Sequence, residues 1–249
     1  MTKVFVHGNP EVDAIWGPLV DALDERGIDD VVLLSPPGFG APTPDAWDAS
    51  MRSYVEWLVA EVERIGGVID IVGHDWGAGH VYGLVAERPD LVRSYAADVA
   101  GMLHPDYAWH DAAQVWQTPE IGEQFVDGMV SASLDDKTAL FVGMGISDEI
   151  AAALAAGVDA EMGRCLLALY RDAGQASLAE AAQRLFDARR PPGLVIDPGA
   201  DPYVSSELGL DVAARLDAQV LSLGDRGHWW MVEDPATAAD GLAAFWAGR

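Results

Sequence analysis

Short apolar runs rich in valine and isoleucine alternate along this chain with longer stretches whose apolar positions recur at helical spacing. The runs at 4–7, 30–34, 69–73, 94–100, 193–197 and 219–223 predict strands. Segments at 13–26, 49–65, 78–87, 205–216 and 235–247 predict helices. Strands and helices in alternation make an α/β fold with a mostly parallel, doubly wound sheet. The alternation breaks between 103 and 190, where alanine-rich stretches form helices and no strand is convincing; 151–160 is compatible with one helix. A block this long is not a loop inside a compact domain, so it predicts a helical cap over one end of the sheet. The core domain is then 1–102 with 191–249, and the inserted cap is 103–190.

Composition narrows the classes of function. Half of the 249 residues are hydrophobic, enough to bury a substantial core. Forty acidic residues against 15 basic ones give a formal charge of −25, which repels nucleic acid and anionic membranes and leaves neither as a partner. No stretch approaches the roughly 18 apolar residues of a membrane span, and the opening MTKVFVHGNP is too short for a signal peptide, so a soluble, cytoplasmic protein is expected. The single cysteine, Cys165, has no disulfide or metal-site partner and reads as a packed residue. Neither a His-Glu-x-x-His pattern nor a phosphate or dinucleotide loop occurs, which implies no metal and no cofactor.

The candidate chemistry centres on Ile69-Val-Gly-His-Asp-Trp-Gly-Ala-Gly79, which follows a strand and precedes a helix. Gly73, Gly77 and Gly79 surround Asp75, and a sharp strand-to-helix turn needs small residues because backbones converge there and hold the central residue exposed. This is a nucleophile elbow with aspartate in the serine position. Near the N-terminus a strand ends in His7-Gly-Asn-Pro10, a turn whose next amide can be aimed at the nucleophile; the N–H groups of Asn9 and Trp76 would form an oxyanion hole.

With these residues in place the chain resembles the α/β-hydrolase superfamily, specifically its epoxide hydrolase and haloalkane dehalogenase branch. Gly73-His-Asp-Trp-Gly-Ala78 is similar to that branch's elbow, His7-Gly-Asn-Pro-Glu11 to its oxyanion motif, and Pro36-Pro-Gly-Phe-Gly40 to the loop after the next strand. The resemblance spans roughly 3–103 and 191–249 and is vague across the cap. Relatives usually begin with two further strands, whereas this chain starts almost on the third. The resemblance implies His228, in Gly224-Asp-Arg-Gly-His228, as the base, and Asp201, in Pro198-Gly-Ala-Asp201, as the orienting acid. Asp98 and Asp197, at the ends of strands, remain rivals for the acid. His7 reads as support for the oxyanion turn, and His74 and His80 as packed or hydrogen-bonded residues.

An aspartate nucleophile selects the reaction. Attack on a carbonyl would give an anhydride, so esterase chemistry is disfavoured; attack on a saturated carbon bearing a leaving group gives an alkyl ester that water, activated by the base, can cleave. An epoxide oxygen leaves best towards a phenol donor, and a halide towards N–H donors. Tyr170, in Leu169-Tyr-Arg171, resembles the cap tyrosine of epoxide hydrolases. A second cap tyrosine is missing where it is sought, with Tyr107 or His110 as substitutes and Trp109 and Trp116 as wall or packing residues. Asn9 and Trp76 are the residue types that bind halide in dehalogenases, while Glu11 leans to epoxide hydrolases. The first expectation is therefore opening of an epoxide on a small hydrophobic substrate with water, the alternative is carbon–halogen hydrolysis, and a catalytically silent ligand-binding protein is the third reading.

Overall fold

The computed structural model describes residues 1–248. Six strands, β1 (Lys3–Val6), β2 (Val31–Leu34), β3 (Ile69–Gly73), β4 (Val92–Ala97), β5 (Gly193–Asp197) and β6 (Gln219–Ser222), form one sheet in the order β2-β1-β3-β4-β5-β6. Every neighbouring pair is parallel. β1 and β3 are buried along their whole length, as their unbroken apolar runs require. The exception is Asp70, whose buried carboxylate is neutralised by Lys3 at 2.6 Å and by Arg93, and accepts from Ser94. Among the helices, α1 (Gly17–Asp24) packs on the C-terminal helix (Pro235–Ala247), and α2 (Met51–Ile65) on α3 (Trp76–Glu87). The chain runs from β1 outward to β2 and then returns to β3 on the other side of β1. The loops after β1 and β3 therefore part at neighbouring strand ends, where crevices form in such sheets.

Several boundaries differ from the sequence expectation for identifiable reasons. The helix expected over 13–26 is a 3-10 turn at Asp13–Trp16 followed by α1, because Pro18 has no N–H to continue an earlier helix and fits a first turn instead. α2 begins at Met51 because the Ser50 hydroxyl accepts from the Ser53 amide. β4 stops at Ala97, the last residue paired with β5, and Val99 turns left-handed at φ 42° into a 3-10 turn at Ala100–Leu103.

Between β4 and β5 lie six helices: α4 (Asp111–Gln117), α5 (Ile121–Ser131), α6 (Leu134–Gly143), α7 (Asp148–Gly157), α8 (Ala160–Asp172) and α9 (Gln175–Asp187). The alanine-rich 151–160 is not one helix: α7 ends at Gly157, and Asp159 caps α8 by accepting from the Met162 amide at 2.8 Å. α8 anchors the cap, burying Met162, Cys165, Leu166, Leu169 and Tyr170 on one face and packing against α4 and α5. α9 packs instead on α3, beside the sheet. No helix among the described residues is long and apolar enough to cross a membrane.

Candidate active site

β3 delivers Asp75 to the sheet's crevice through a turn that only small neighbours permit. Asp75 takes φ 50°, outside the ordinary range of an L residue, and α3 begins on the next residue. A Cβ on Gly77 would lie 2.1 Å from the Val6 carbonyl oxygen, and one on Gly8 2.2 Å from Asp75 Oδ1. The glycines thus let β1, the oxyanion turn and the elbow meet without intervening side chains. Gly77→Ala is expected to cost about 3 kcal/mol or more, because the opposing atom is backbone and cannot rotate away. Thermal unfolding of that variant, compared with Gly128→Ala where a Cβ meets nothing within 4 Å, measures the effect.

The structure brings four sequence-separated residues together here. The Asn9 amide donates to Asp75 Oδ1 at 3.0 Å, and His228 Nε2 lies 3.8 Å from Asp75 Oδ2. On its far side His228 Nδ1 is 2.8 Å from Asp201 Oδ2, while Asp201 Oδ1 accepts from the Tyr203 and Val204 amides. Burial pushes the Asp75 carboxyl up to about 6, with the His228 and His74 charges opposing that rise. Burial and the neighbouring His74 would lower His228, but the Asp201 hydrogen bond and charge, together with Asp75, hold it above its ordinary value.

Asp98, a rival for the acid, faces elsewhere. Its Oδ1 accepts from the Asp75 amide at 2.9 Å, and its Oδ2 meets His74 Nδ1 and the Trp230 indole. His74 Nε2 in turn lies 3.2 Å from Glu11 Oε1, which also accepts from the Trp229 indole at 2.7 Å; Glu11 Oε2 accepts from the Gly8 amide. Burial opposes a charge on His74, but the two carboxylates raise it well above its ordinary value, so it is an imidazolium. Burial likewise opposes ionisation of Glu11, and the His74 charge overrides it, bringing Glu11 down to about 2. This buried carboxylate–imidazolium–carboxylate set ties the oxyanion turn, the elbow and the two tryptophans after His228 to one another. Glu11, His74 and His228 group potential ligand atoms within 4.8 Å, and both carboxylate oxygens of Glu11 and both ring nitrogens of His74 are engaged in the hydrogen bonds just described. Asp197, the other rival, ends β5, and the Leu223 amide donates to its backbone carbonyl.

Above Asp75 lies a cavity of about 200 Å³ whose walls come from both core and cap. Tyr170 and His110 line it, as do Trp116 and Asn9. The Tyr170 ring stands edge-on to Trp76 at 5.5 Å, and burial and the Asp75 charge push its hydroxyl far up while the Trp76 indole opposes this. Among the described residues, the Asn9 side-chain amide and the Trp116 indole nitrogen are buried with no partner. Tyr107 and Trp109 do not reach this cavity; they border a smaller one beside Trp76. Trp109 is occupied as a packing residue, stacked on Trp76 at 5.8 Å with its N–H donating to the Ala173 carbonyl. His110 caps α4, its Nδ1 accepting from the Ala113 amide, and burial lowers it towards neutrality.

The residue that sequence reasoning misses is Tyr203. It lines the main cavity, its ring lies 4.8 Å from both His228 and His110, and burial and the Asp75 and Asp201 charges raise its hydroxyl. The available signal was its place two residues after Asp201: whatever turns the acid towards the base carries its neighbours along.

A carboxylate at a strained strand-to-helix turn, a histidine backed by an acid and an aimed amide meet at the strand ends of an α/β-hydrolase fold. The chain belongs to the alpha/beta hydrolase family, whose model matches residues 4–240. It is 30% identical over 112 residues to a haloalkane dehalogenase of Bradyrhizobium diazoefficiens, covering 43% of this chain and 34% of that one. It is 29% identical over 94 residues to the (E)-2-((N-methylformamido)methylene)succinate hydrolase of Acinetobacter baylyi, covering 37% and 35%. The aligned stretches thus span about a third of the length of these curated relatives. Among solved structures, a haloalkane dehalogenase from Bradyrhizobium elkani superposes with a TM-score of 0.74 at 22% identity, covering 100% of this chain and 91% of that one. The E-2-(acetamidomethylene)succinate hydrolase superposes with a TM-score of 0.70 at 16% identity, covering 98% and 90%. At these identities the superpositions establish the fold.

Proposed function

We propose that the protein hydrolyses a bond at saturated carbon through an alkyl ester on Asp75, and that the bond is the C–O bond of an epoxide. The observation that carries this reading is the pair of phenols, Tyr170 and Tyr203, lining the same cavity as Asp75. Asp75 Oδ2 attacks a ring carbon, the C–O bond breaks, and the oxygen takes a proton from a phenol, whose raised value keeps it protonated until then. Ester formation removes the Asp75 charge, one of the causes that raise His228, so the imidazole is freed to act as base. Water then adds to Asp75 Cγ, giving one proton to His228, and the Asn9 amide supports the charge developing on Oδ1; on collapse His228 protonates the departing oxygen to release the diol, and the remaining water proton returns to the phenolate as the carboxylate is restored. Asp201 keeps the imidazole oriented and stabilises its charged form.

A second reading, release of halide, is supported by the unpaired Asn9 side-chain amide beside Asp75 and by the dehalogenase relative. One experiment separates the two. His228→Gln should form the ester and not cleave it, so intact mass after exposure to epoxides and haloalkanes reads the leaving group. An adduct equal to the whole epoxide, absent in the double variant with Asp75→Asn, is the expected result. An adduct equal to the alkyl group without its halogen assigns dehalogenation instead, and a folded variant that takes up neither refutes the covalent mechanism.

A further inference from the structure

Lys137, on α6, is the one lysine or arginine in the wall of the main cavity. This chain holds 40 acidic residues against 15 basic ones, and its cations are mostly paired with them: Lys3 with Asp70, Arg171 with Glu123, Arg164 with Glu161. Lys137 breaks that habit. Its Nζ donates to the Val158 carbonyl at 2.9 Å, and among the described residues no carboxylate reaches ion-pairing distance. Its neighbours in the wall are Leu140, Phe141, Met144 and Val158, which offer no counter-charge. An ammonium beside an apolar surface loses hydration that the single Val158 carbonyl replaces only in part, so a ligand that brings the missing anion is favoured there.

We propose that the substrate is an amphiphile carrying a carboxylate, which Lys137 binds while the reactive carbon meets Asp75. The hydrocarbon between them contacts the apolar wall contributed by Trp116, Phe125, Met129, Leu140 and Met144. With one N–H of Lys137 given to Val158, two remain, a match for a single carboxylate. A dianion such as a phosphate monoester would meet one cation against a strongly acidic molecule, so a monoanion is selected. The carboxylate takes no part in bond making; it fixes which end of the substrate lies over the nucleophile. This inference deepens the epoxide reading and rests on it for the nature of the reacting carbon, though not for the anion site.

The test compares two terminal epoxides of matched medium chain length, one ending in a methyl group and one in a carboxylate. Each is incubated below saturation with the His228→Gln protein, and adduct formation is followed by intact mass. The carboxylate is expected to label about tenfold faster, the worth of one charge-assisted hydrogen bond. Adding Lys137→Met should bring the two rates together by slowing only the carboxylate, whereas Lys137→Arg should keep most of the preference. In parallel, octanoate and octanol are titrated into the unmodified protein, using the fluorescence of Trp116 and Trp229 in the cavity wall. Lys137→Met should weaken octanoate about tenfold and leave octanol unchanged. Equal labelling in the parent, or a preference that survives Lys137→Met, overturns the proposal. So does a loss of thermal stability in Lys137→Met with octanoate binding intact, which makes the lysine only a clamp on the end of α7. If neither epoxide labels Asp75 but octanoate binding depends on Lys137, the epoxide reading fails and the anion site stands.

Discussion

Asp75→Asn is expected to abolish turnover and, at pH 8, to leave a protein more stable than its parent by about 1–3 kcal/mol. The first half follows from chemistry, since an amide oxygen cannot displace a leaving group as a carboxylate does. The second half follows from burial. The Asp75 carboxyl rises from 3.8 to about 6 because ionising it in the cavity floor is unfavourable. A carboxyl whose folded value exceeds its unfolded one favours the folded state fully below about pH 4, and that contribution is lost as the pH climbs through about 6. Above pH 6 the parent carries the whole penalty and the amide carries none. The side chain is 18% exposed, so some solvent reaches it and the gain falls short of the full two-unit shift. Urea unfolding of both proteins at pH 8, 6 and 4 checks the claim: the gap should close towards pH 4, and a variant less stable than the parent at pH 8 contradicts it. The same shift predicts that ester formation slows as the pH falls through about 6.

The largest loss of stability among single changes near the site is expected from His74→Phe, roughly 3–5 kcal/mol, or a melting temperature lower by about 6–20 °C. The ring is replaced by one of similar shape, but Glu11 and Asp98 are left buried without the cation between them. For Glu11 the sign with pH runs opposite to that of Asp75, whereas His74 shares the sign of Asp75. Glu11, lowered to about 2 against the opposing effect of burial, contributes stability present above its ordinary 4.5 and lost as the pH falls through about 2. His74, raised by the two carboxylates, contributes stability present below 6.5 and lost only as the pH climbs through its raised value. The parent therefore keeps the set intact across neutral pH. In the variant the stranded Glu11 takes up a proton more readily, so the deficit should shrink as the pH is lowered towards 5. Melting curves at pH 8 and pH 5 report this, and a deficit below about 1 kcal/mol at pH 8 shows that the set carries no such charge separation. The adduct rate should fall as well, because this set braces the Gly8 and Asp75 amides and the tryptophans following His228.

These two residues mark the boundary of what is legible in the sequence. The inner strands β1 and β3 stand out because parallel strands covered on both faces are written as apolar runs, and the elbow because the close approach at Gly77 leaves a local signature. Asp75, Asn9, Asp201 and His228 each sit in a short motif at a strand end. His74 reads as a packed or hydrogen-bonded histidine, but its charge depends on Glu11 and Asp98, 63 and 24 residues away, and no local pattern encodes that. Tyr203 is hidden for a similar reason: the phenol sought in the cap comes from the loop after β5. Lys137 carries no motif at all, and its isolation among carboxylates exists only in three dimensions. Helix ends move by a residue or two wherever a cap such as Ser50 or Asp159 decides the start.

The strands that flank the cap, β4 and β5, are hydrogen-bonded neighbours, so the chain leaves the sheet and re-enters it at adjacent points. Asn9, Asp75, Asp201 and His228 all follow strands of that sheet, while Tyr170, Trp116 and Lys137 lie in the inserted helices. Asp75 and the side chains bonded to it are thereby written outside the inserted segment, and most of the cavity's apolar wall within it. A library that rewrites these helices around Tyr170 can search substrate space while Asp75, Asp201 and His228 stay where they are, and a helical segment borrowed from another member of the family needs only to match one pair of neighbouring strand ends.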